Sequence, residues 1–361
     1  MKIFFDNIIF SLQKSGGGSV YWYEIVSRFL KTNHNIEFLD YPCNNIFRER
    51  LNYNGKVSRS RYWLFIARFL PLCRRFKSKT IVHSSYYRIS LSRNAINVIT
   101  IHDFTSEKYF RGLSKFINYW QKKIAVMRAD GIICISENTK KDLLFYHPKV
   151  SENKIKIIYN GAGDCFFRIN QLNESNISDD DIKKVLGEEY VLFVGHRTNY
   201  KNFLMAVKTM SFFNGKLKFV IVGEPLSKDE ITVVNSFLKK DSYKVLSGKT
   251  SETLNLLYNK AFCLLYPSSY EGFGIPVVEA MKTGCPVVTT NKSSIPEVAG
   301  DAAIMVSEIN ELNFINAIES LFDDKYRSDL IAKGYIQAEK FSWDYTYKEV
   351  VEFYKTLYEN K

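Results

Sequence analysis

Residues 262–306 read FCLLYPSSYEGFGIPVVEAMKTGCPVVTTNKSSIPEVAGDAAIMV, and this stretch decides the fold. The apolar run Phe262–Tyr266 predicts a buried strand. Pro276 suits the first residue of a helix because its missing N–H costs nothing there, and Gly284 suits the left-handed cap that ends that helix. Val287–Thr289 predicts the next strand. The stretch is therefore a βαβ unit with a glycine-rich loop at the mouth of its helix.

The loop before this helix has the features of an anion site. Free backbone N–H groups and the helix dipole favour negative charge at a helix N-terminus. Glu271 lies in the loop and Glu279 is placed on the first turn of the helix, where carboxylates can accept hydrogen bonds from the hydroxyls of a ligand. An anionic middle and hydroxyl-rich ends describe a nucleotide sugar. Alternatively, the two glutamates only complement the positive end of the helix.

The sequence of this stretch resembles the signature of the retaining, two-domain (GT-B) glycosyltransferases of family 4, also described as glycosyl transferases group 1. Glu271 and Glu279 match the Glu-x7-Glu spacing of that family. The resemblance covers nearly the whole chain, and within this stretch it extends over Tyr270–Pro276, Glu279–Met281, Gly284–Val288 and Pro296–Gly300.

The resemblance implies an α/β fold of GT-B architecture, with two Rossmann-like domains facing a central cleft. The alternation of strands and helices favours the same class independently. We expect an acceptor-binding domain over residues 1–165, a linker over 166–187, a nucleotide-sugar-binding domain over 188–340 and a C-terminal helix over 341–361 that crosses back to the first domain.

Composition bounds the class of protein. A chain of 361 residues with 46% apolar residues suits two domains of ordinary size. Its six cysteines form no C-x-x-C pair and are interpreted as buried free thiols of a reducing compartment. No apolar run is long enough for a transmembrane helix, and Asp6 interrupts any signal-peptide core. We therefore expect a cytoplasmic protein.

Charge is unevenly distributed along the chain. Residues 1–165 hold 27 Lys and Arg against 12 Asp and Glu, and no acid occurs between Glu49 and Asp103. Such a surface suits nucleic acid, an anionic membrane or a lipid-phosphate acceptor. Residues 56–79 place Tyr62, Phe65, Ile66 and Phe69 at helical spacing among the arginines Arg59, Arg61, Arg68, Arg74 and Arg75. This pattern predicts a basic amphipathic helix, either peripheral at the inner membrane face or packed on a domain core.

Two segments of the first half resemble the family's acceptor side. Gly16, Gly17 and Gly18 form a glycine-rich loop after the first strand, and the alternative is a flexible β–α turn. His102 and Asp103 end the strand Ile96–Ile101, where parallel strands direct side chains towards ligands. In the family this histidine lines the donor-sugar pocket and helps to stabilise the oxocarbenium-like centre. Ser136 is a further acceptor-side residue, although a helix N-cap alone explains it.

In the second half, the loop after the strand Tyr190–Val194 carries Arg197 and Lys201. Cations there can neutralise a diphosphate, which removes the need for a divalent metal. In many relatives an arginine directly follows the glycine, whereas here His196 takes that position. Further donor contacts are predicted at three places. They are Gly223 at the end of the next strand, Glu271, Gly272, Phe273, Gly274 and Ile275 in the glycine-rich loop, and Glu279 in the helix that follows it.

The resemblance implies transfer of a sugar, mannose or another hexose, from a GDP- or UDP-linked donor to a hydroxyl of a glycan or lipid-linked acceptor, with retention. His102 and Glu271 are the predicted catalytic residues, with no metal and no cofactor. The expected setting is synthesis of a cell-surface polysaccharide or lipid-linked oligosaccharide. The alternatives are an inactive or phosphorolytic relative, or a basic nucleic-acid-binding protein. No nucleic-acid-binding motif occurs in the sequence, so no nucleic-acid partner is expected.

Overall fold

The computed structural model describes residues 1–53, 56–59, 64–171, 177 and 179–361. The chain forms two compact units. The first contains Met1–Asn160 together with Trp343–Lys361, and the second contains Gly161–Ser342. Each unit is an α/β domain built on one parallel sheet.

The first unit is built on a seven-stranded parallel sheet with the order β3-β2-β1-β4-β5-β6-β7. The chain reverses its direction of progress across the sheet after β3, as in doubly wound folds. The interior strand β5 is buried along its whole length because helices cover both faces of a parallel sheet. Its strands are β1 Lys2–Asp6, β2 Asn35–Asp40, β3 Lys56–Arg59, β4 Thr80–Ser84, β5 Ala95–Ile101, β6 Gly131–Cys134 and β7 Ile155–Ile157.

Eight α-helices are described in this unit: α1 Ile9–Leu12, α2 Gly17–Leu30, α3 Ile46–Arg50, α4 Leu64–Ala67, α5 Thr105–Tyr109, α6 Gly112–Arg128, α7 Glu137–Tyr146 and α16 Trp343–Asn360. The last of these is the C-terminal helix, which packs on α2 and β4 of the first unit. Trp343 and Tyr354 are fully buried there with Phe29. The C-terminal segment is thus part of the first unit's core.

The second unit is built on a six-stranded parallel sheet with the order β10-β9-β8-β11-β12-β13. Its strands are β8 Tyr190–Val194, β9 Lys218–Val222, β10 Tyr243–Leu246, β11 Cys263–Tyr266, β12 Val287–Thr290 and β13 Ile304–Val306. Its described helices are α8 Asp180–Leu186, α9 Phe203–Phe212, α10 Lys228–Phe237, α11 Ser251–Lys260, α12 Ile275–Thr283, α13 Ile295–Ala299, α14 Glu311–Glu319 and α15 Asp324–Ala338.

The predicted βαβ unit is present as β11, α12 and β12, with β11 and β12 paired in parallel. α12 begins at Ile275, so Pro276 is its second residue, and Gly284 ends it at φ 82°. A Cβ at Gly284 would lie 2.1 Å from the Tyr335 hydroxyl, so both the backbone angle and the neighbouring ring require glycine there.

The expected basic helix over 56–79 is wrong. Lys56–Arg59 is the edge strand β3, and the only helix described in the segment is the four-residue α4. Arg74 pairs with Glu37 and its guanidinium lies 4.7 Å from the centre of the Phe4 ring, so it belongs to the packed domain. Arg61 and Tyr62 lie outside the described residues. Pairing with β2 makes Lys56–Arg59 a strand, so the start of the segment is not helical. Of the residues at helical spacing, Phe65 and Ile66 lie in α4, which ends at Ala67 before Phe69 is reached.

The sequence placed a linker at 166–187, whereas the two units meet in sequence at Asn160 and Gly161. Residues 172–176 and 178 lie outside the described residues. Asp179 caps α8 by accepting a hydrogen bond from the Ile182 N–H at 3.2 Å, so the three consecutive aspartates 179–181 form a helix N-terminus.

Candidate active site

Two loops of the second unit are hydrogen-bonded to each other at the carboxyl ends of its strands. One follows β8 and the other follows β11, and these strands are neighbours. The Ser269 N–H donates to the Tyr200 carbonyl at 2.8 Å, and the Asn202 amide donates to the Pro267 carbonyl at 2.8 Å. Because parallel strands end at the same edge, residues 65 to 70 positions apart in sequence form one site.

Lys201 and Glu271 meet at the centre of this site. The Lys201 ammonium donates to Glu271 Oε1 at 2.5 Å and to the Tyr266 hydroxyl at 2.7 Å. Both charged side chains are mostly buried. Burial alone would lower the pKa of Lys201, but the Glu271 carboxylate and the Tyr266 oxygen raise it well above its ordinary value. Lys201 is therefore a fixed cation at neutral pH.

Ser293 and Ser294 are hydrogen-bonded to the backbone of the glycine-rich loop. Ser293 Oγ donates to the Glu271 carbonyl at 2.6 Å and accepts from the Glu271 N–H at 3.1 Å. Ser294 Oγ lies within hydrogen-bond distance of the carbonyls of Glu271 and Phe273. Sequence analysis missed both serines, and their only signal was a polar pair directly after the strand that follows the glycine loop.

Glu279 lies on the second turn of α12, so its placement on the first turn was wrong. The Tyr258 hydroxyl donates to Glu279 Oε2 at 3.1 Å. Burial raises the pKa of Glu279 from an ordinary 4.5 to about 7, against smaller lowering effects of the Tyr258 hydrogen bond and the Lys282 charge. The carboxyl thus carries a proton part of the time at neutral pH. Tyr258 is a third residue that sequence analysis missed.

Arg197 does not join Lys201. Its Nε donates to Glu230 Oε1 at 2.8 Å and its Nη2 donates to the Pro225 carbonyl at 2.8 Å. Glu230 also closes the capping box of α10, so the guanidinium is tied to a structural element. The side chain is 6% exposed, and Nη1 is buried without a hydrogen-bond partner among the described residues.

Gly223 has a structural reason to be glycine, and the donor contact predicted for it stays a prediction. A Cβ at this position would lie 2.7 Å from the Gly195 carbonyl and 3.3 Å from Arg197 Nη1. The neighbouring protein loop alone therefore requires glycine there. His196, which takes the usual arginine position, is exposed.

In the first unit, His102 follows β5 directly. Its ring packs edge-to-face on Tyr21 with 4.9 Å between ring centres. Burial lowers the pKa of His102 to about 4, with Asp103 acting against this effect and Lys122 adding to it. The imidazole is therefore neutral at physiological pH.

The segment after His102 is held by a buried ion pair. Lys122 lies 2.8 Å from Glu107 Oε1, and its ammonium also donates to the Asp103 carbonyl at 2.9 Å. The Asp103 carboxylate accepts from the Thr105 N–H at 2.9 Å and so caps the following turn. These contacts fix the backbone on which His102 is mounted.

The remaining acceptor-side predictions fall on helix N-termini. Gly17 and Gly18 form the first turn of α2, so the expected loop is shorter than predicted and Gly16 is the N-cap. Ser136 is completely buried, and its hydroxyl accepts from the Thr139 N–H at 3.0 Å, which confirms the N-cap of α7.

All six cysteines are free. Cys43 and Cys73 are exposed and Cys165 is half-buried, so the prediction of buried thiols is confirmed only for Cys134, Cys263 and Cys285. Within the described ranges, no group of three or more His, Cys, Asp or Glu is arranged to hold a metal ion. Nor does any described helix combine the length and apolar character needed to cross a membrane.

Two family models match the chain. "Glycosyltransferase Family 4" matches residues 15–162, and "Glycosyl transferases group 1" matches residues 175–337. The two together cover most of the sequence, one in each unit. The chain therefore belongs to the family 4 glycosyltransferases, which confirms the resemblance and the expected enzyme class.

Similar proteins include O-antigen chain mannosyltransferase B of Escherichia coli, 34% identical over 176 residues, an alignment that spans 46% of each protein. The O-antigen chain mannosyltransferase RfbU of Salmonella typhimurium is 29% identical over 273 residues, which cover 72% of this chain and 69% of that protein. The first alignment thus spans less than half of that relative's length.

Similar solved structures include the sucrose-phosphate synthase of Thermosynechococcus elongatus, with a TM-score of 0.76, 16% identity and full coverage of both chains. Anabaena HepE in complex with UDP-glucose has a TM-score of 0.74 and 15% identity over 99% of this chain and 100% of that chain. These structures confirm the α/β fold of the GT-B class.

Proposed function

We propose that the protein transfers a hexose, mannose as the first candidate, from a nucleoside diphosphate sugar to an acceptor hydroxyl with retention of anomeric configuration. The acceptor is a growing cell-surface polysaccharide or a lipid-linked oligosaccharide. The names of the O-antigen mannosyltransferases among its relatives support both the sugar and the setting.

The Lys201 cluster carries this proposal. Lys201 is a cation held in place by two partners, and one of them is a carboxylate. A diphosphate offers more negative charge than Glu271 and can take over the ammonium by charge-assisted hydrogen bonds. Glu271 is then free to accept hydrogen bonds from the hydroxyls of the donor sugar. The exchange couples diphosphate binding to the orientation of the sugar.

The glycine loop and α12 supply the other donor contacts. The backbone amides of Phe273, Gly274 and Ile275 lie at the positive end of α12 and suit the growing negative charge of the leaving group. Glu279 accepts hydrogen bonds from the ribose hydroxyls. Its raised pKa falls on donor binding, because hydroxyl donors stabilise the carboxylate.

The reaction needs no protein nucleophile. The bond between the anomeric carbon and the diphosphate oxygen breaks, and the acceptor oxygen forms the new bond on the same face. The acceptor proton passes to an oxygen of the leaving diphosphate. His102 serves the reducing end of the donor sugar, and as a neutral imidazole it adds no positive charge to the cationic centre.

We further propose that Lys201 takes the role of a divalent metal at the diphosphate. Transfer is therefore expected to proceed in EDTA. A rate that falls to background in EDTA and returns with Mg²⁺ or Mn²⁺ would contradict this part of the proposal.

A donor screen tests the function. Purified protein is incubated with GDP-mannose, UDP-glucose and other nucleotide hexoses in the presence of a lipid extract, and products are followed by mass spectrometry. One donor should give a product with an added hexose. The one-bond coupling between C1 and H1 in the NMR spectrum of that product should show the same anomeric configuration as in the donor. Donor turnover equal to background with every acceptor would overturn the proposal.

The matched variants are Lys201→Met and Lys208→Met. Lys208 also pairs with a glutamate of the same unit, Glu311, at 3.0 Å, but this pair is partly exposed. We expect Lys201→Met to lose transfer and Lys208→Met to retain it, because only the first cation lies at the glycine loop.

A further inference from the structure

Helix α6 displays large apolar side chains to solvent. Six of them are between 38% and 73% exposed: Leu113, Phe116, Ile117, Trp120, Ile124 and Met127. At 100° per residue they fall within an arc of about 100° on one side of the helix. We call this arc the outer face of α6.

The opposite side of α6 is already the side that packs on the domain. Ala125 and Val126 are buried in a core cluster with Phe104 and Leu143. The exposed apolar residues of α6 are thus the larger ones, and they lie on the side away from the core. A large exposed apolar patch marks an interaction surface, so the outer face has the composition of a docking surface.

A groove continues this face. It has a volume of about 450 Å³ and is lined by residues of α6 and of the segments before and after β4, among them Phe69, Pro71, Ile89, Phe116, Trp120 and Ile124. Phe69 is itself 46% exposed at its rim. The apolar surface thus extends beyond one helix.

Cations border the outer face on both sides. The Lys123 ammonium lies 4.5 Å from the centre of the Trp120 ring, and Arg128 follows Met127 at the exposed end of the helix. On the groove side, the Arg68 guanidinium lies 4.8 Å from the centre of the Phe69 ring. α6 contains no acidic residue, and neither does the sequence between Glu49 and Asp103.

We propose that the outer face of α6 docks on a lipid bilayer that contains anionic lipid. Phe, Trp, Ile and Leu enter the headgroup and acyl boundary while the flanking lysine and arginine contact lipid phosphate, which is the arrangement of interfacial helices. A second copy of this chain suits the face less well, because a symmetric contact would bring the same cations together.

This docking surface differs from the one expected from the sequence, which was a helix over 56–79. The biological role of docking rests on the proposed function, since docking would bring a lipid-linked acceptor close to the enzyme. Docking itself needs neither donor nor acceptor, so it can be tested without either.

The test is co-sedimentation of the full chain with vesicles of phosphatidylcholine alone or with 30% phosphatidylglycerol, a composition chosen as roughly that of a strongly anionic leaflet. We expect binding to the anionic vesicles only. Leu113→Glu/Ile124→Glu should abolish it. The control Leu312→Glu/Ile336→Glu, at positions 64% and 65% exposed in the second unit, should bind like wild type.

The charge contribution is tested by Lys123→Gln and Arg128→Gln. Each should lower partitioning about fivefold, and added salt should reduce the difference. Equal binding to neutral and anionic vesicles, or no binding to either, would overturn the proposal. So would a concentration-dependent dimer in analytical ultracentrifugation that Leu113→Glu/Ile124→Glu dissociates.

Thermal stabilisation by UDP and GDP is measured on the same preparations. A protein that binds nucleotide but no vesicles would leave the proposed function standing and reject docking. A protein that binds anionic vesicles but neither UDP nor GDP would leave docking standing and reject these two nucleotides as the donor base.

Discussion

Lys201 and Glu271 form an ion pair with 2.5 Å between Nζ and Oε1, although they lie on different loops and were expected to bind different parts of a donor. The pair is mostly buried and shares the Tyr266 hydroxyl. Each residue therefore competes with the ligand of the other. Under the proposed function, we therefore expect binding of a diphosphate at Lys201 to separate the pair and release Glu271.

Replacing Lys201 should remove the gain of stability on binding a nucleoside diphosphate. At about a hundred times its dissociation constant, a ligand adds about 2.7 kcal/mol to the free energy of unfolding. We expect wild type to gain this with UDP or GDP and Lys201→Met to lose most of it. Melting temperatures with and without nucleotide measure the effect. Equal shifts in wild type and Lys201→Met would contradict a diphosphate role, and Lys208→Met serves as the control.

Replacing Glu271 should separate nucleotide binding from transfer. Glu271→Gln leaves Lys201 without a competing carboxylate, so the affinity for nucleoside diphosphate should rise. Transfer should fall by at least about tenfold in kcat/KM, because hydrogen bonds from sugar hydroxyls to a charged group are lost. Calorimetry and initial rates measure the two quantities. If both fall together, Glu271 is needed mainly to build the loop.

The raised pKa of Glu279 predicts a pH-dependent stability. Between its ordinary value of 4.5 and about 7, the folded state holds a proton that the unfolded state has lost, so this group lowers stability as pH rises through that range. Glu279→Gln should therefore stabilise the protein at pH 8 by at most about 3 kcal/mol and change little at pH 4.

Melting temperatures of wild type and Glu279→Gln at the two pH values isolate this group, since all other titrating groups are shared. Donor affinity should fall in the variant at pH 8, because the amide offers fewer acceptor sites to a ribose. A variant with unchanged donor affinity would reject the ribose assignment while leaving the stability result intact.

Arg197 should be more important for stability than for the nucleotide. Its guanidinium bonds Glu230 and the Pro225 carbonyl in a forked geometry that lysine cannot reproduce. Arg197→Lys should cost about 1–3 kcal/mol, below the cost of breaking a fully buried pair because Glu230 is partly exposed. Nucleotide affinity should fall less than in Lys201→Met. The opposite order would make Arg197 the principal diphosphate ligand.

Gly284→Ala should destabilise the second unit strongly, because it combines a positive φ with a clash against the Tyr335 hydroxyl. Gly215→Ala is the matched control, since Gly215 has a similar φ of 90° but open space around its Cβ position. We expect about 1 kcal/mol for the control and at least about 2 kcal/mol more for Gly284→Ala. Equal losses would show that Tyr335 moves aside without cost.

Local pattern predicted the second unit well. The strands at 262–266 and 287–289, the proline near the helix start and the glycine at its end appeared within one or two residues of their predicted positions. These signals are local, since they depend on backbone angles and on runs of buried residues. The same reasoning failed at 56–79, where Lys56–Arg59 pairs with β2 as a strand and the described helix is only Leu64–Ala67.

Contacts between residues that are distant in sequence could not be predicted from local sequence patterns. Nothing in the sequence links Arg197 to Glu230, Tyr258 to Glu279 or Ser294 to the glycine loop. The exposure of one side of α6 was also hidden, because an apolar residue at helical spacing gives the same signal whether it faces a core or solvent.

The sequence by itself determined the chemistry and the class: a glycine-rich helix mouth, a cation at 201 and carboxylates at 271 and 279 belong to a sugar transferase of family 4. Only the tertiary structure decided what each charge does. In the folded chain, Lys201 forms an ion pair with Glu271, Arg197 forms an ion pair with Glu230, and Glu279 is buried against Tyr258. The physical reason is that a pKa, an ion pair and an exposed face depend on what surrounds a side chain in space, and parallel strands bring those surroundings from distant parts of the chain.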